Sequence, residues 1–251
     1  GESKSKANLN LPEWQQLLVE ELAKTGKPIV SLLMCGRPLI FNEVRRHSPA
    51  ILCTWWLGSE AGNAICNVLW GKYNPSGKLP MTFPANMGQV PIFYQYKSTG
   101  RPTRPHVHYC TSYIDSSTEP AYPFGFGLSF TSLRYGKPEI IPSDHPDHAH
   151  AFLRINISNT GSRDGEEVVQ LYVQDKVARI TRPVKELKGF QKVFLKAGES
   201  KTVTFPITDE TLGYYDNDMH FTVEKGEFIF MTGGSSHDTQ EVTYFHPFSK
   251  I

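Results

Sequence analysis

The hydrophobic pattern of this chain changes its period near the middle. Apolar residues recur at helical spacing in residues 12–24 and 59–69, and they form short continuous runs at 28–34 and 50–56. From residue 152 onward, apolar and polar residues alternate with a period of two. Because helices and strands bury one face at different periods, we expect two domains of different class, at residues 1–130 and 131–251.

The first part of the chain is typical of a parallel α/β sheet. We predict a first helix that begins at Pro12 and stops before Gly26, then two short strands buried on both faces with a helix between them. A last helix follows, with Ser59 as its N-cap. The apolar stripe of the first helix is Trp14, Leu17, Leu18 and Leu22. This order predicts a partial parallel-sheet α/β sandwich, and we expect its first strands to lie outside this sequence.

The second part of the chain is typical of an all-β domain. Short alternating runs are separated by turn sequences such as "NTGSRDG" and "KAGES". The runs are "FLRINISN", "EVVQLYVQD", "LKGFQKVFL", "KTVTFPI", "MHFTV", "GEFIFMTG" and "QEVTYFH". They predict an immunoglobulin-like or fibronectin type III-like sandwich, and the lack of a Cys…Trp…Cys pattern excludes an antibody-type domain. The Pro-, Gly- and Tyr-rich residues 72–135 are expected to form long loops.

The composition excludes several classes of protein. With 26 Lys and Arg against 25 Asp and Glu, the chain lacks the basic excess of a nucleic-acid-binding protein. No apolar run approaches the roughly 20 residues of a membrane span. The cysteines have no zinc-type spacing, so we predict free thiols, three of them in buried apolar surroundings. These three are Cys35, Cys53 and Cys66, and the fourth is Cys110.

Two catalytic motifs can be set aside. The stretch "GKYNPSGK" resembles a phosphate-binding loop, but five residues rather than four separate Gly71 from Gly77. In addition, Leu79 stands where Ser or Thr would bind magnesium. The sequence also contains no G-x-S-x-G elbow of an α/β-hydrolase. We therefore predict no cofactor.

The histidine-rich stretches are interpreted as solvated loops rather than as metal sites. They lack the second cluster of ligands that a closed site needs. The residues concerned are Asp144, His145, Asp147, His148 and His150 in "DHPDHAH", and the pair His106 and His108. We therefore predict no bound metal. Asn156 begins a glycosylation sequon inside a predicted strand, which matters only for a secreted eukaryotic protein.

The first residues, "GESKSK", include neither an initiator Met nor the basic and apolar regions of a signal peptide. We therefore expect this sequence to be cut from a longer polypeptide.

Several stretches together resemble the C-terminal half of a glycoside hydrolase family 3 protein, the β-glucosidase and β-xylosidase family. They are "GKPIVSLLMCGRPL", "WWLGSEAGNAICNVLWGKYNPSGKLPMTFP", "QVPIFYQYKSTGRP", "YPFGFGLSFT", "TRPVKELKGFQKVFLKAGESKTVTFPI" and "GYYDNDM". The segment "NPSGKLP" followed by "TFP" is the most specific of these signatures. The bacterial periplasmic β-glucosidase branch is the most similar, which implies a periplasmic or secreted protein.

The resemblance also implies a role for Glu2. In this family, a nucleophilic Asp lies in an N-terminal (β/α)8 barrel, and a Glu on the following α/β sandwich serves as general acid and base. That Glu precedes an "L-x-L-P" stretch, and here "GESKSK" precedes "LNLP", so Glu2 matches it, although Lys6 stands where Arg is usual. The alternative is that Glu2 is a solvated terminal glutamate.

The resemblance further implies partners for the chain. The substrate would be a β-linked oligosaccharide or glucoside with a terminal non-reducing sugar, and the missing barrel would pack on this chain. A homo-oligomer is compatible with the sequence. Without the barrel we expect no hydrolysis, and we expect the loops "PIFYQY" and "YPFGFG" to leave an apolar patch that causes self-association. The alternative function is a non-catalytic carbohydrate- or protein-binding module, which a line of exposed aromatic residues would favour.

Overall fold

The computed structural model describes residues 3–103, 107–145 and 148–249, which form two compact units. The first, called the α/β unit, contains Gly1–Tyr73, Met81–Ile92 and Tyr113–Tyr122. The second, called the sandwich unit, contains Asn74–Pro80, Phe93–Ser112 and Pro123–Ile251. The predicted class, an α/β sandwich followed by a β-sandwich, is confirmed. No helix in the described part of the chain is long and apolar enough to cross a membrane.

The α/β unit has the predicted alternation of helices and strands. Strands β1 and β2 pair in parallel, with Leu33 opposite Cys53 at their carboxyl ends. The elements are α1 (Glu13–Ala23), β1 (Val30–Leu33), α2 (Asn42–His47), β2 (Ala50–Cys53) and α3 (Ala61–Leu69). A 3-10 turn at Gly58–Glu60 leads into α3, so Ser59 lies inside this turn and Glu60 is the N-cap, contrary to the prediction. Pro12 is the N-cap of α1 rather than its first residue.

An aromatic cluster forms the core of the α/β unit. Phe41 contacts Phe83 edge to face and stacks on Tyr122, at centroid distances of 6.1 and 6.0 Å. Trp55 contacts the Phe83 ring at 6.0 Å. The backbone N–H of Phe83 also donates to the Tyr122 carbonyl. These contacts hold residues 81–92 and 113–122 in the unit although they are distant in sequence.

The predicted burial of the first strands on both faces is wrong, and the apolar stripe of α1 is exposed as well. Trp14 on α1 is 80% exposed, and Val30 on β1 is 50% exposed. A sheet of two strands has too few neighbours to cover both faces of either strand. Of the three thiols predicted to be buried, Cys35 is buried, Cys53 is half-buried, and Cys66 is exposed, contrary to the prediction. All four cysteines are free, as predicted.

The sandwich unit consists of two antiparallel sheets. One has the order β12-β11-β6-β7, and in the other β5 pairs with β3, β4 and β8. The strands are β3 (Leu133–Tyr135), β4 (Glu139–Pro142), β5 (Ala151–Asn159), β6 (Gly165–Asp175), β7 (Glu186–Leu195), β8 (Ser200–Ile207), β9 (Tyr214–Tyr215), β10 (Phe221–Thr222), β11 (Gly226–Gly233) and β12 (Thr239–His246), with a short helix α4 (Asp209–Leu212). Leu153, Ile155 and Ile157 point into the core between the sheets, as their alternation predicts.

Three details of the sandwich differ from the sequence prediction or were not part of it. The stretch "MHFTV" supplies only β10, which pairs with β9 in a separate ribbon. Strands β3 and β4 were not predicted, because three or four residues are too few for a visible alternation. Gln170 and Tyr172, which alternate along β6 with the core residues, are buried as well. Tyr94 packs on Tyr172, and Gln170 donates to the Gly125 carbonyl.

Candidate functional site

The candidate acid/base residue, Glu2, lies outside the described residues. The described chain begins with Ser3, whose φ of 59° is in the left-handed region. This conformation is uncommon for a residue with a side chain. Residues 3–8 are exposed and contain no helix or strand.

The next residues are attached to the loop that follows β1. The Ile40 N–H donates to the Leu9 carbonyl at 2.9 Å, and the Leu11 N–H donates to the Ile40 carbonyl at 3.0 Å. Closer to the start of the chain, Arg37 Nη1 donates to the Lys6 carbonyl at 3.3 Å. The loop from 36 to 40 therefore runs alongside the segment that follows Glu2.

The carboxyl edge of the β1–β2 pair carries several constrained residues. A ligand of a parallel α/β sheet usually binds at this edge. Trp55, two residues beyond β2, has a φ of 51°, which is strained for a bulky side chain. A methyl group at Gly36 would lie 2.6 Å from Trp56 Nε1, so this position accepts only glycine without movement. Strain of this kind concentrates at functional sites.

The Cys53 thiol at this edge is a poor nucleophile. Burial, and then the neighbouring Cys35 thiol to which it is hydrogen-bonded, raise the pKa of Cys53 to about 12. Because the thiolate is the reactive form, Cys53 is inert at neutral pH. The carboxyl edge therefore offers no cysteine chemistry at this position.

The signature "NPSGKLP" lies in the sandwich unit and is bound to its strands. Asn74 Nδ2 donates to the Asp164 carbonyl, and its Oδ1 accepts from the Phe130 N–H at 2.7 Å. Lys78 Nζ lies 2.7 Å from Glu167 Oε1. These contacts give the segment a structural role and agree with the exclusion of a phosphate loop.

Lys78 and Glu167 form a largely buried ion pair. Their side chains are 13% and 7% exposed, and the Tyr135 hydroxyl also donates to Glu167 Oε1 at 3.1 Å. Burial, and then the charge of Glu167, raise the pKa of Tyr135. The adjacent cleft of about 260 Å³ is lined by this trio and by Asp238. Since the charges of Lys78 and Glu167 neutralise each other, we assign the trio to structure.

The described residues contain no group of three metal-ligating side chains. His106 and Asp147 lie outside the described residues. His145 and His148 are exposed, as expected for a solvated loop. His150 differs from that expectation: its Nε2 lies 2.8 Å from Asp209 Oδ1, and its ring packs on His246 at a centroid distance of 4.6 Å.

Sequence reasoning did not find Arg37 or the Lys78–Glu167 pair. Both lie in stretches that were noted for other features, "CGRPL" and "NPSGKLP". The partners of Arg37 and Lys78 are 31 and 89 residues away, a separation at which no periodicity gives a signal.

Comparison with known proteins gives two matches to family models. The model described as glycosyl hydrolase family 3 C-terminal domain matches residues 1–130. The model described as fibronectin type III-like domain matches residues 167–236.

Individual relatives are similar along nearly the whole chain. A periplasmic beta-glucosidase of Salmonella typhimurium is 43% identical over 94% of this chain, and a beta-xylosidase of Formosa agariphila is 40% identical over 94%. The crystal structure of a beta-glucosidase from Listeria innocua in complex with glucose superposes with a TM-score of 0.92 over 98% of the chain, at 39% identity. This chain covers 31%, 32% and 35% of these three proteins, respectively.

Proposed function

Since this chain belongs to glycosyl hydrolase family 3, we propose that it is the C-terminal part of a retaining β-glycosidase. The substrate class is a terminal non-reducing β-linked sugar, as in a β-glucoside or a β-xyloside. The observation that carries the proposal is the similarity to a β-glucosidase and a β-xylosidase over 94% of the chain.

Glu2 is the general acid/base of the proposed reaction. In the first step it protonates the glycosidic oxygen as the nucleophile attacks the sugar, and in the second step it deprotonates the attacking water. A retaining enzyme needs the nucleophilic carboxylate at about 5–5.5 Å from the acid/base carboxyl group. We assign the nucleophile to a (β/α)8 barrel outside these 251 residues.

The barrel and the first strands of the α/β domain are the proposed partners of this chain. Support comes from the α/β unit, where large apolar side chains are exposed on both helices and strands. Trp14 on α1 is 80% exposed, and Trp70 after α3 is 79% exposed. A homo-oligomer is the alternative partner for such a surface. The proposed location is the periplasm, by similarity to the periplasmic relative.

The decisive experiment is Glu2→Ala in a longer protein that contains this chain and an N-terminal barrel. A general acid is needed for a poor leaving group and is dispensable for a good one. We therefore expect kcat/KM to fall about 10²–10⁴-fold on an alkyl glucoside and to stay nearly constant on an activated aryl glucoside.

Azide provides the matching test of the second step. It needs no base, so it should raise kcat of the Glu2→Ala protein on the activated substrate and yield a glycosyl azide. A uniform small loss on all substrates, without rescue by azide, would assign the acid/base to another residue.

A non-catalytic binding module remains the second candidate because of one observation. Phe190 and Phe194 project from the same face of the edge strand β7 and are 66% and 46% exposed. Exposed aromatic rings can stack on the apolar faces of sugars. In this case the chain alone should bind soluble cello- or xylo-oligosaccharides, and Phe190→Ala should weaken binding. Phe248→Ala, at a residue 72% exposed near the C-terminus, is the matched control. Calorimetry that detects no binding to the unmodified chain would exclude this candidate.

A further inference from the structure

The segment that follows Glu2 has few contacts of its own. Residues 3–8 are exposed, and Ser3 keeps a left-handed φ of 59°. An exposed segment without secondary structure samples many conformations at little cost. The position of residues 3–8 must therefore be fixed by contacts with other parts of the chain.

The loop after β1 offers a firm support for this segment. Pro38 and Ile40 are buried, and Ile40 is bound on both sides by backbone hydrogen bonds to Leu9 and Leu11. Arg37 lies in this loop, between Gly36 and the buried Pro38. The Arg37 backbone is thus held by its own loop, and its guanidinium reaches the Lys6 carbonyl.

The contact between Arg37 and Lys6 is the hydrogen bond nearest to the start of the described chain. Arginine is permanently charged, so this donor is available at every pH at which a glycosidase works. Its charge strengthens this hydrogen bond relative to one from a neutral donor, although the contact is long, at 3.3 Å, and exposed. The anchor lies only four residues from Glu2.

We propose that Arg37 is a positioning residue for the general acid/base: it holds the Lys6 carbonyl and thereby restrains the segment that carries Glu2. This inference rests on the proposed function and names a residue that supports it. Arg37 itself exchanges no proton and touches no sugar.

Positioning of this kind has a defined kinetic effect. A displacement of about 1 Å at a reacting group can cost on the order of 10²-fold in rate. Loss of Arg37 should affect the protonation of the leaving group and the deprotonation of water, because Glu2 performs both in the proposed reaction. It should spare any step that does not involve Glu2.

The test uses the longer protein with its barrel and compares Arg37→Ala, Arg37→Lys and Glu2→Ala. For Arg37→Ala, kcat/KM on an alkyl glucoside should fall about tenfold, whereas an activated aryl glucoside should change less than about twofold, since acid catalysis contributes only to the former. Arg37→Lys keeps one charged donor and should be intermediate. Azide should raise kcat of Arg37→Ala on the activated substrate.

Arg46→Ala is the matched control. Arg46 lies on α2 of the same unit, and its side chain pairs with Glu43 on the surface. This variant should leave both substrates unchanged. Thermal melting of each protein shows whether it is folded, and Arg37→Lys keeps the test valid if Arg37→Ala is unstable.

The outcomes separate the two proposals. Suppose that the loss of kcat/KM caused by Glu2→Ala depends on the leaving group, but that both Arg37 variants affect all substrates equally or not at all. Arg37 then has no positioning role, and the inference is overturned. If Glu2→Ala itself lacks this dependence, the proposed function fails, and the role of Arg37 fails with it.

Discussion

At the scale of single residues, His246 shows how burial sets a chemical property. It is 3% exposed at the end of β12, where its ring packs on His150. Burial, and then the proximity of His150, lower the pKa of His246 from its ordinary value of 6.5, although Asp209 opposes the shift. The folded state therefore favours neutral His246.

This shift predicts acid sensitivity of the sandwich unit. Below pH 6.5 the unfolded chain binds a proton at His246 that the folded chain resists, so stability falls with pH down to the lowered folded pKa. We expect the melting temperature of the chain to drop between pH 7.5 and pH 5. In His246→Phe this drop should be smaller. An equal drop in both proteins would assign the acid sensitivity to other groups.

At the scale of elements, the segment Asn74–Pro80 and strand β6 depend on each other. Asn74 and Lys78 of this segment bind residues at or near β6, and the partner of Lys78 is the buried Glu167. Removing one member of a buried ion pair leaves an uncompensated charge, which costs far more than the pair contributes.

We therefore predict that Lys78→Met lowers the free energy of unfolding by about 3–5 kcal/mol, measured by urea denaturation. The double variant Lys78→Met/Glu167→Gln should recover more than half of this loss, because glutamine is neutral and still accepts the Tyr135 hydrogen bond.

The control for this prediction is Lys192→Met. Lys192 on β7 pairs with Glu166, the neighbour of Glu167 on β6, but is 47% exposed. An exposed pair contributes less than about 1 kcal/mol, so this variant should be nearly as stable as the parent. A loss of equal size in Lys78→Met and Lys192→Met would contradict the role of burial.

At the scale of the whole molecule, the exposed apolar side chains of the α/β unit predict association. We expect the 251-residue chain alone to self-associate and to bind a hydrophobic dye. The double variant Trp14→Gln/Leu18→Glu, at two exposed positions on α1, should reduce both effects. Light scattering after size exclusion and dye fluorescence measure them.

The matched control for association is Phe245→Gln, at a residue 59% exposed on β12 of the sandwich unit. It should change dye binding less than the α1 variant. A monomeric parent that binds no dye would contradict the prediction. The expected contribution of "YPFGFG" is small, because Phe124 of this motif is partly buried against Tyr94.

The sequence by itself determined the order and class of the elements. Helix and strand periods depend on residues two to four positions apart, and such patterns are complete within a short segment. This is why α1, β1, β2 and α3 were predicted close to their observed bounds. The family resemblance also came from contiguous motifs, and it supplied the role of Glu2, which no periodicity indicates.

Only the tertiary structure decided which side chains are buried and which are paired. The alternation of β6 places Tyr172 on the face opposite to Leu171, yet the Tyr94 ring packs on it and it is buried. Arg37 reads as a loop residue, yet it binds Lys6 across 31 positions. The physical reason is that burial and pairing depend on surfaces that folding brings together. The residues adjacent in sequence to a side chain do not indicate which distant segment will pack on it.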